Sequence, residues 1–260
     1  MAYRTVQLDF QPPLATITLN RPEKRNAINY ELIEEILAAL EEVAPTQARV
    51  LILTGAGPAF CSGMDLDVLK GLTGRAPKEN LKDSETMAQL FRAIYEFPIP
   101  TIAAVNGPAI AGGAGLATLC DFTLAVPEGK FGYTEVRIGF VPAIVSTFLL
   151  RQVGEKQARE LLLTGKIISA DEAFRIGLIN EIVPAHRLAD RAKELALQLA
   201  ENSPASLRAT KQLLRDLTRK EVSSQVEMAV QANAAIRNTE DFREGISSFL
   251  EKRKPKWSGK

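Results

Sequence analysis

The first half of the chain alternates short apolar segments, glycine-containing turns and helical patterns, and this order limits the fold more than any other feature. Residues 14–19, 50–54 and 102–105 are short apolar runs that predict strands, and the last two end in turns. Residues 30–43 carry apolar side chains on one side and glutamates elsewhere, which predicts an amphipathic helix. A second helix is predicted over residues 84–96. Strand, turn and helix in alternation predict an α/β fold.

The second half of the chain is predominantly helical in pattern. Residues 169–172 have the form of a capping box, and Gly177 is placed to end the helix that they open. Apolar residues then recur at helical spacing from residue 188 onward. We therefore predict a core over residues 1–186, followed by a helical region over residues 187–260.

Charge and cysteine content exclude several classes of protein. Lys and Arg number 32 against 31 Asp and Glu, so a net charge of +1 gives no electrostatic case for binding nucleic acid or an anionic membrane. Two cysteines, Cys61 and Cys120, do not form a disulfide framework and indicate a reducing compartment. The first ten residues lack a long apolar run, and the last four are not a lipidation or peroxisomal signal. We expect a cytoplasmic protein.

The spacing of glycine, histidine and aspartate residues in the chain does not match common cofactor-binding or metal-binding motifs. Gly113 and Gly115 begin like a dinucleotide fingerprint, but the third glycine is missing. His186 is the only histidine, and its position before a helical pattern suits a surface or capping residue. Asp65 and Asp67 have no further ligand near them in sequence, so we expect no metal site.

Two glycine-bearing segments, residues 59–66 and residues 106–116, follow buried strands and lead towards helices. The start of a helix exposes unpaired N–H groups at the positive end of the helix dipole. Two such starts facing one point would form an oxyanion hole. The alternative is a pair of tight turns that serve packing, and the residues alone favour this alternative.

Ordered motifs along nearly the whole chain add a resemblance to a known family. The motifs include an early signature, two glycine loops, a segment around Glu135 and later landmarks, at residues 19–27, 59–66, 106–113, 131–139 and 163–180. Together they resemble the enoyl-CoA hydratase/isomerase (crotonase) superfamily.

This resemblance implies a fold, a substrate class and catalytic groups. The fold would be a β-β-α spiral core with a C-terminal helical trimerisation region, and the substrate an acyl-CoA thioester. The oxyanion donors would be the N–H groups of Met64 and Gly112. Of the family's three acidic stations, only Glu135 is acidic here, because Gly115 and Ala143 occupy the other two.

The same resemblance implies a binding surface for coenzyme A, which is part of the substrate, so no separate cofactor or metal is expected. The basic pair Lys24 and Arg25 would meet the phosphates, although an ordinary solvated basic turn is the alternative. The full predicted binding set is Lys24, Arg25, Ala27, Ser62, Gly63, Asp65, Leu66 and Gly113.

One base can remove a proton and return it elsewhere on an allylic system, so a single glutamate favours isomerisation of a Δ3- to a Δ2-enoyl-CoA. Hydration of a 2-enoyl-CoA is the alternative, and decarboxylation or another enolate reaction is a weaker one. For Glu135 itself, the alternative to a buried base is a surface glutamate paired with Arg137, two residues along an extended segment. One branch of the family binds RNA through a lysine-rich helix, whereas the matching residues 30–43 contain glutamates and no lysine.

The C-terminal residues of the chain predict that it assembles into an oligomer. Members of the superfamily are usually trimers or dimers of trimers, which implies a homo-oligomer. Phe242, Ile246, Phe249 and Leu250 are expected to be buried between subunits, because together they would form a large exposed apolar patch.

Overall fold

A computed structural model describes residues 3–260. The strands, in chain order, are β1 (Val6–Gln11), β2 (Leu14–Leu19), β3 (Val50–Gly55), β4 (Thr101–Val105), β5 (Ala109–Ile110), β6 (Phe122–Ala125), β7 (Lys130–Gly132), β8 (Ile167–Ser169) and β9 (Glu181–Ile182). The helices are α1 (Tyr30–Val43), α2 (Leu66–Lys70), α3 (Pro77–Tyr95), α4 (Gly112–Thr118), α5 (Ala143–Thr164), α6 (Ala170–Arg175), α7 (Leu188–Ala200), α8 (Pro204–Ile236) and α9 (Glu240–Leu250). Short 3-10 turns cover Pro22–Lys24, Glu135–Ile138 and Ala185–Arg187.

Six strands form the main sheet, in the order β1-β2-β3-β4-β6-β9. Strand β1 is antiparallel to β2, and every later pair in this sheet is parallel. The small second sheet has the order β5-β7-β8 and stands where the chain leaves β4. The mixed sheet with its helices confirms the predicted α/β fold and its C-terminal helical region.

Both faces of the main sheet are covered, which explains why β3 and β4 are continuous apolar runs. Helices α1, α3 and α4 pack in the larger core on one face. On the other face, α7 contributes Leu188, Ala192, Ala196 and Ala200 to a second apolar cluster with β3, β4 and β6. The long helix α8 packs on α3 and α5. The division of the chain at residue 186 stays a prediction.

Several predicted elements are confirmed, and one helix begins earlier than expected. Strand β2 and helix α1 have the predicted bounds, and the side chain of Asn29 caps α1 by accepting the N–H of Leu32. Helix α3 begins at Pro77 and not at the predicted residue 84. The earlier start was not predicted because the first turns of the helix are polar and carry little apolar periodicity. No helix within residues 3–260 is both long enough and apolar enough to cross a membrane.

Helix α9 packs within its own chain. Phe242 and Ile246 are buried against Leu69 and Leu72 of the same subunit, so the expectation that they are buried between subunits is wrong. Phe249 keeps 49% of its surface exposed. Helix α9 also lies against the turn that carries Glu135, since a Cβ on Gly245 would stand 2.2 Å from the backbone of Ile138.

Candidate active site

The two glycine-bearing turns are bonded directly to each other. The N–H of Ile110 donates to the carbonyl of Cys61 at 2.9 Å, and the N–H groups of Phe60 and Cys61 both reach the carbonyl of Pro108 at 3.1 Å. A Cβ on Gly113 would stand 2.2 Å from the carbonyl oxygen of Cys61, so only glycine allows the start of α4 to approach the first turn this closely. The first turn and the start of α4 therefore form one rigid unit.

Among the backbone donors of this unit that have no acceptor in the described residues are the N–H groups of Met64 and Gly112. Gly112 is the first residue of α4, where the N–H has no helical partner. The N–H of Met64 is also unused, while its neighbours on either side bond to Ile28. Met64 and Gly112 line the same cavity. Two residues from different turns, each with an unused N–H group, thus line one cavity, which is a condition for an oxyanion hole.

Backbone strain marks the start of α4. Ala111 has φ of 51° and ψ of −123°, a region that costs a residue with a side chain about 1–3 kcal/mol. Its N–H donates to the carbonyl of Gly132 at 2.7 Å, which helps to hold this conformation. The strained residue turns the chain from β5 into α4, whose first residue, Gly112, lines the cavity.

Strand β7 places Glu135 beside this strained turn. Ile110 pairs with Gly132 in the parallel β5–β7 ladder, so Gly112 and Glu135 follow two adjacent strand ends. Glu135 begins a 3-10 turn, and its carbonyl accepts the N–H of Phe140 at 3.0 Å. The predicted extended segment is therefore wrong. Residues two apart do not share a face of a 3-10 turn.

The carboxyl group of Glu135 is buried, and one of its oxygens has no hydrogen-bond partner. Glu135 is 8% exposed, and the oxygen without a partner is Oε2. Burial raises the pKa of this carboxyl to about 7, and a bond from its own backbone N–H lowers the pKa only slightly in comparison. Arg137 is exposed and forms no ion pair with Glu135, so the expected alternative of a surface pair is wrong. A buried carboxyl with a pKa near neutrality is suited to proton transfer.

The cavity that joins these groups has a volume of about 710 Å³. Its walls near Glu135 are apolar, because Ile138, Phe140, Val141 and Ile144 line it. A Cβ on Gly115 would stand 2.8 Å from the ring of Phe91, which itself lines the cavity. Phe91 therefore occupies the space that a side chain at residue 115 would need.

Most of the predicted binding residues surround the same cavity. Lys24, Arg25, Ala27, Ser62, Asp65 and Leu66 line it, whereas Gly63 and Gly113 do not. Gly63 has φ of 87°, and a Cβ on this residue would stand 3.0 Å from the carbonyl oxygen of Ile110. Asp65 is 4% exposed, caps α2 and pairs with Arg21 at 2.7 Å, so its carboxylate is already occupied.

Two features of the site were missed by sequence reasoning. Asn26 has φ of 54° and pins the loop of residues 21–27 to the first glycine turn, with its amide donating to Ala56 and Ala59 at 2.9 and 2.8 Å. Asn233 and Arg237 also line the cavity, although both lie far away in the sequence. Their spacing of four residues on one helix was the only available signal.

Within residues 3–260, no cluster of three or more potential metal ligands is present.

The chain is similar to known proteins along nearly its whole length. Residues 9–260 match the family described as "Enoyl-CoA hydratase/isomerase". A Thermus thermophilus relative that carries an enoyl-CoA hydratase name is 46% identical, over 94% of this chain and 97% of its own. A crotonyl-CoA hydratase of Syntrophomonas wolfei is 35% identical over the full length of both chains. The crystal structure of an enoyl-CoA hydratase/isomerase from Xanthobacter autotrophicus Py2 superposes with a TM-score of 0.89 at 30% identity, covering 97% of this chain and 98% of that one.

Proposed function

This chain belongs to the enoyl-CoA hydratase/isomerase family, and from its site we propose that it converts an enoyl-CoA through a thioester enolate, with Glu135 as the proton-transfer residue. One observation carries the proposal. The unpartnered Oε2 of Glu135 and the unused N–H groups of Met64 and Gly112 belong to residues that line one cavity. These groups are the base and the two donors that enolate chemistry requires.

Hydration of a 2-enoyl-CoA is the reaction that we propose first, because both relatives described above carry hydratase names. In this reaction, the carboxylate of Glu135 takes a proton from water as the oxygen adds to the β-carbon. The negative charge that develops on the thioester oxygen is stabilised by the N–H groups of Met64 and Gly112. Glu135 then returns the proton to the α-carbon, so a single carboxylate completes the addition of water.

Isomerisation is the second candidate, and one observation favours it. Phe91 occupies the space beside Gly115, so no second carboxylate stands there to hold a water molecule. For a 3-enoyl-CoA, Glu135 would remove a proton from the α-carbon and return it to the γ-carbon, which leaves the double bond at the 2-position. This reaction needs no water. The sequence motifs favoured isomerisation, and this preference is not confirmed, because most relatives carry hydratase names.

The two candidates differ in the mass of their products. Purified protein is incubated separately with a 2-enoyl-CoA and a 3-enoyl-CoA, and the products are resolved by mass spectrometry. Hydration adds the mass of one water to the 2-enoyl-CoA, whereas isomerisation changes the retention of the 3-enoyl-CoA at constant mass. Turnover of neither thioester would contradict the proposed function.

Lys24 and Arg25 stand exposed at the mouth of the cavity, and we propose that they bind phosphates of coenzyme A. Lys24 makes only a surface contact of 3.5 Å with Asp67, which contributes little. Changing both residues to glutamine is expected to raise KM for the thioester about tenfold, with kcat nearly unchanged, since phosphate contacts stabilise the ground state and the transition state equally.

A matched control for this measurement is Lys70→Gln. Lys70 also contacts Asp67, at 3.3 Å, but does not line the cavity, so its loss should leave KM unaltered. An unchanged KM in the variant with both Lys24 and Arg25 replaced would remove these residues from the binding surface.

We also propose that the protein is a homo-oligomer, a trimer or a dimer of trimers. Leu213, Leu214 and Leu217 of α8 are 59%, 61% and 73% exposed in the single chain. Neighbouring large apolar side chains on one helix favour contact with another subunit over exposure to water.

A further inference from the structure

The inner part of the cavity contains a polar site that the enolate chemistry does not use. Asn233 lies in the last turn of α8, and Arg237 follows one turn later as its C-cap residue; both line the cavity. They are 7% and 3% exposed, whereas Lys24 and Arg25 at the mouth are exposed. Asn233 and Arg237 therefore lie in the interior of the cavity, away from its exposed mouth.

Contacts with α3 hold this polar pair in place. Arg237 Nη1 lies 2.6 Å from Asp83 Oδ2, and Nη2 donates to Asn233 Oδ1 at 2.8 Å. Ser84 Oγ donates to the same oxygen of Asn233 at 2.7 Å. The guanidinium group also lies 5.2 Å from the ring centroid of Phe140, another lining residue. The side chain of Arg237 is therefore fixed before any substrate binds.

Several donors of this pair remain without a good acceptor. Arg237 Nε is buried and has no partner, and Nη1 stands at ion-pair distance from Asp83 without the alignment of a hydrogen bond. The amide nitrogen of Asn233 has one long contact, 3.5 Å to the carbonyl of Val141. A purely structural link between α3 and α8 would explain the contacts of Arg237 Nη1 and Nη2. It does not explain why Arg237 Nε is buried without a hydrogen-bond partner beside a substrate cavity, because a buried donor without an acceptor costs free energy.

The charged groups that contact this pair are Asp83 and, through Asp83, Arg75. Asp83 is shared between Arg237 and Arg75, whose Nη1 lies 3.5 Å from the other carboxylate oxygen. Tyr30 donates to Asp83 and stays neutral, because burial and Asp83 raise the pKa of its hydroxyl. Two guanidinium groups thus contact one carboxylate, the other acidic residues of α3, Glu79 and Glu85, are exposed to solvent, and Glu135 lines the same cavity.

We propose that Arg237 and Asn233 form a specificity site for a carboxylate at the far end of the acyl chain, so that the preferred substrates are ω-carboxyacyl-CoA thioesters. This inference rests on the proposed function and narrows its substrate class. A terminal carboxylate would accept from the Arg237 guanidinium group and from the Asn233 amide. A terminal methyl group would leave these donors unpaired and would lie against a fixed charge.

The test uses pairs of 2-enoyl-CoA thioesters of equal carbon number, one ending in methyl and the other in carboxylate, over several chain lengths. At the best length, kcat/KM should favour the carboxylate about 10- to 100-fold, the scale of a charge-assisted hydrogen bond. The double variant Asp83→Asn/Arg237→Gln removes both buried charges together and should bring the ratio close to unity. Arg75→Gln changes the same cluster away from the cavity and should keep the preference.

Thermal unfolding of each variant establishes that it is folded, and Asn233→Ala provides a milder variant that should reduce the preference if the double variant does not fold. A wild-type preference for the methyl thioester, or a ratio unchanged in the folded variants, would overturn the proposal. If neither thioester is turned over, the proposed function fails instead. Binding of the two saturated acyl-CoA analogues then decides the carboxylate site on its own, because tighter binding of the carboxylate analogue supports it and equal or weaker binding overturns it.

Discussion

Replacing Glu135 by glutamine is expected to lower kcat by at least about 10², because the variant keeps the shape of the side chain and loses general acid–base catalysis. The thioester should still bind, since the amide of glutamine fits the same apolar surroundings. The measurement is kcat and KM with whichever enoyl-CoA the wild type converts. Glu128→Gln is the matched control, because Glu128 is exposed, precedes β7 and does not line the cavity. Near-normal turnover in the Glu135 variant would show that the chemistry lies elsewhere.

The pH profile gives an independent view of the same residue. Glu135 acts as a base in its ionised form, and its pKa is raised to about 7 by burial. The value of kcat/KM should therefore rise with pH through about 7 and level off above it. Any residual activity of Glu135→Gln should lack this step.

Stability serves as the folding control for this variant, and its sign follows from the same pKa. Between the ordinary carboxyl pKa of 4.5 and about 7, the folded state holds a proton on Glu135 that the unfolded chain has lost. The wild type therefore loses stability as pH rises through this window. Glutamine removes the buried charge, so the variant should gain up to about 3 kcal/mol at pH ~8 and nothing at pH ~4. A gain in Tm at high pH together with lost turnover separates catalysis from folding.

Local patterns were sufficient for the elements that carry their own signals. Helix α1 was predicted to the residue because its apolar spacing is regular, and strand β2 was equally clear. The start of α3 was missed because a proline and polar residues open it without a side-chain cap. Ser169 and Gly177 marked the ends of the α6 segment, since a cap and a left-handed glycine are local requirements.

The site was predicted only as far as its parts are local. Glycine patterns located both turns, but the residues alone favoured packing, and their mutual hydrogen bonds depend on tertiary structure. The contact of Phe91 with Gly115 joins α3 to α4, and the polar cluster at Arg237 joins α3 to α8. No periodicity within one helix reports which residues of another helix meet it. Glu135 was identified by resemblance, while its burial and raised pKa depend on the cavity around it.

The oxyanion hole can be tested by replacing a single backbone N–H with an ester oxygen, which removes the donor and keeps the side chain. An ester at Gly112 or at Met64 is expected to lower kcat by about 10²–10³, the cost of losing one such donor. Rates are measured at saturating thioester, because the charge on the oxygen develops in the transition state and KM should change much less.

An ester also weakens the preceding carbonyl as an acceptor, so the control must share this defect. Ala114 satisfies this condition, since its N–H likewise lies in the first turn of α4 without a helical acceptor and the residue does not line the cavity. An ester there should change kcat little. If the esters at Met64 and Gly112 reduced kcat no more than the ester at Ala114, the two amides would be ordinary ends of tight turns. If only one of the two lowered kcat, a single donor would stabilise the enolate, and the paired arrangement would be wrong. A loss at both positions, with the thioester still bound, is what two turns packed around one substrate oxygen require.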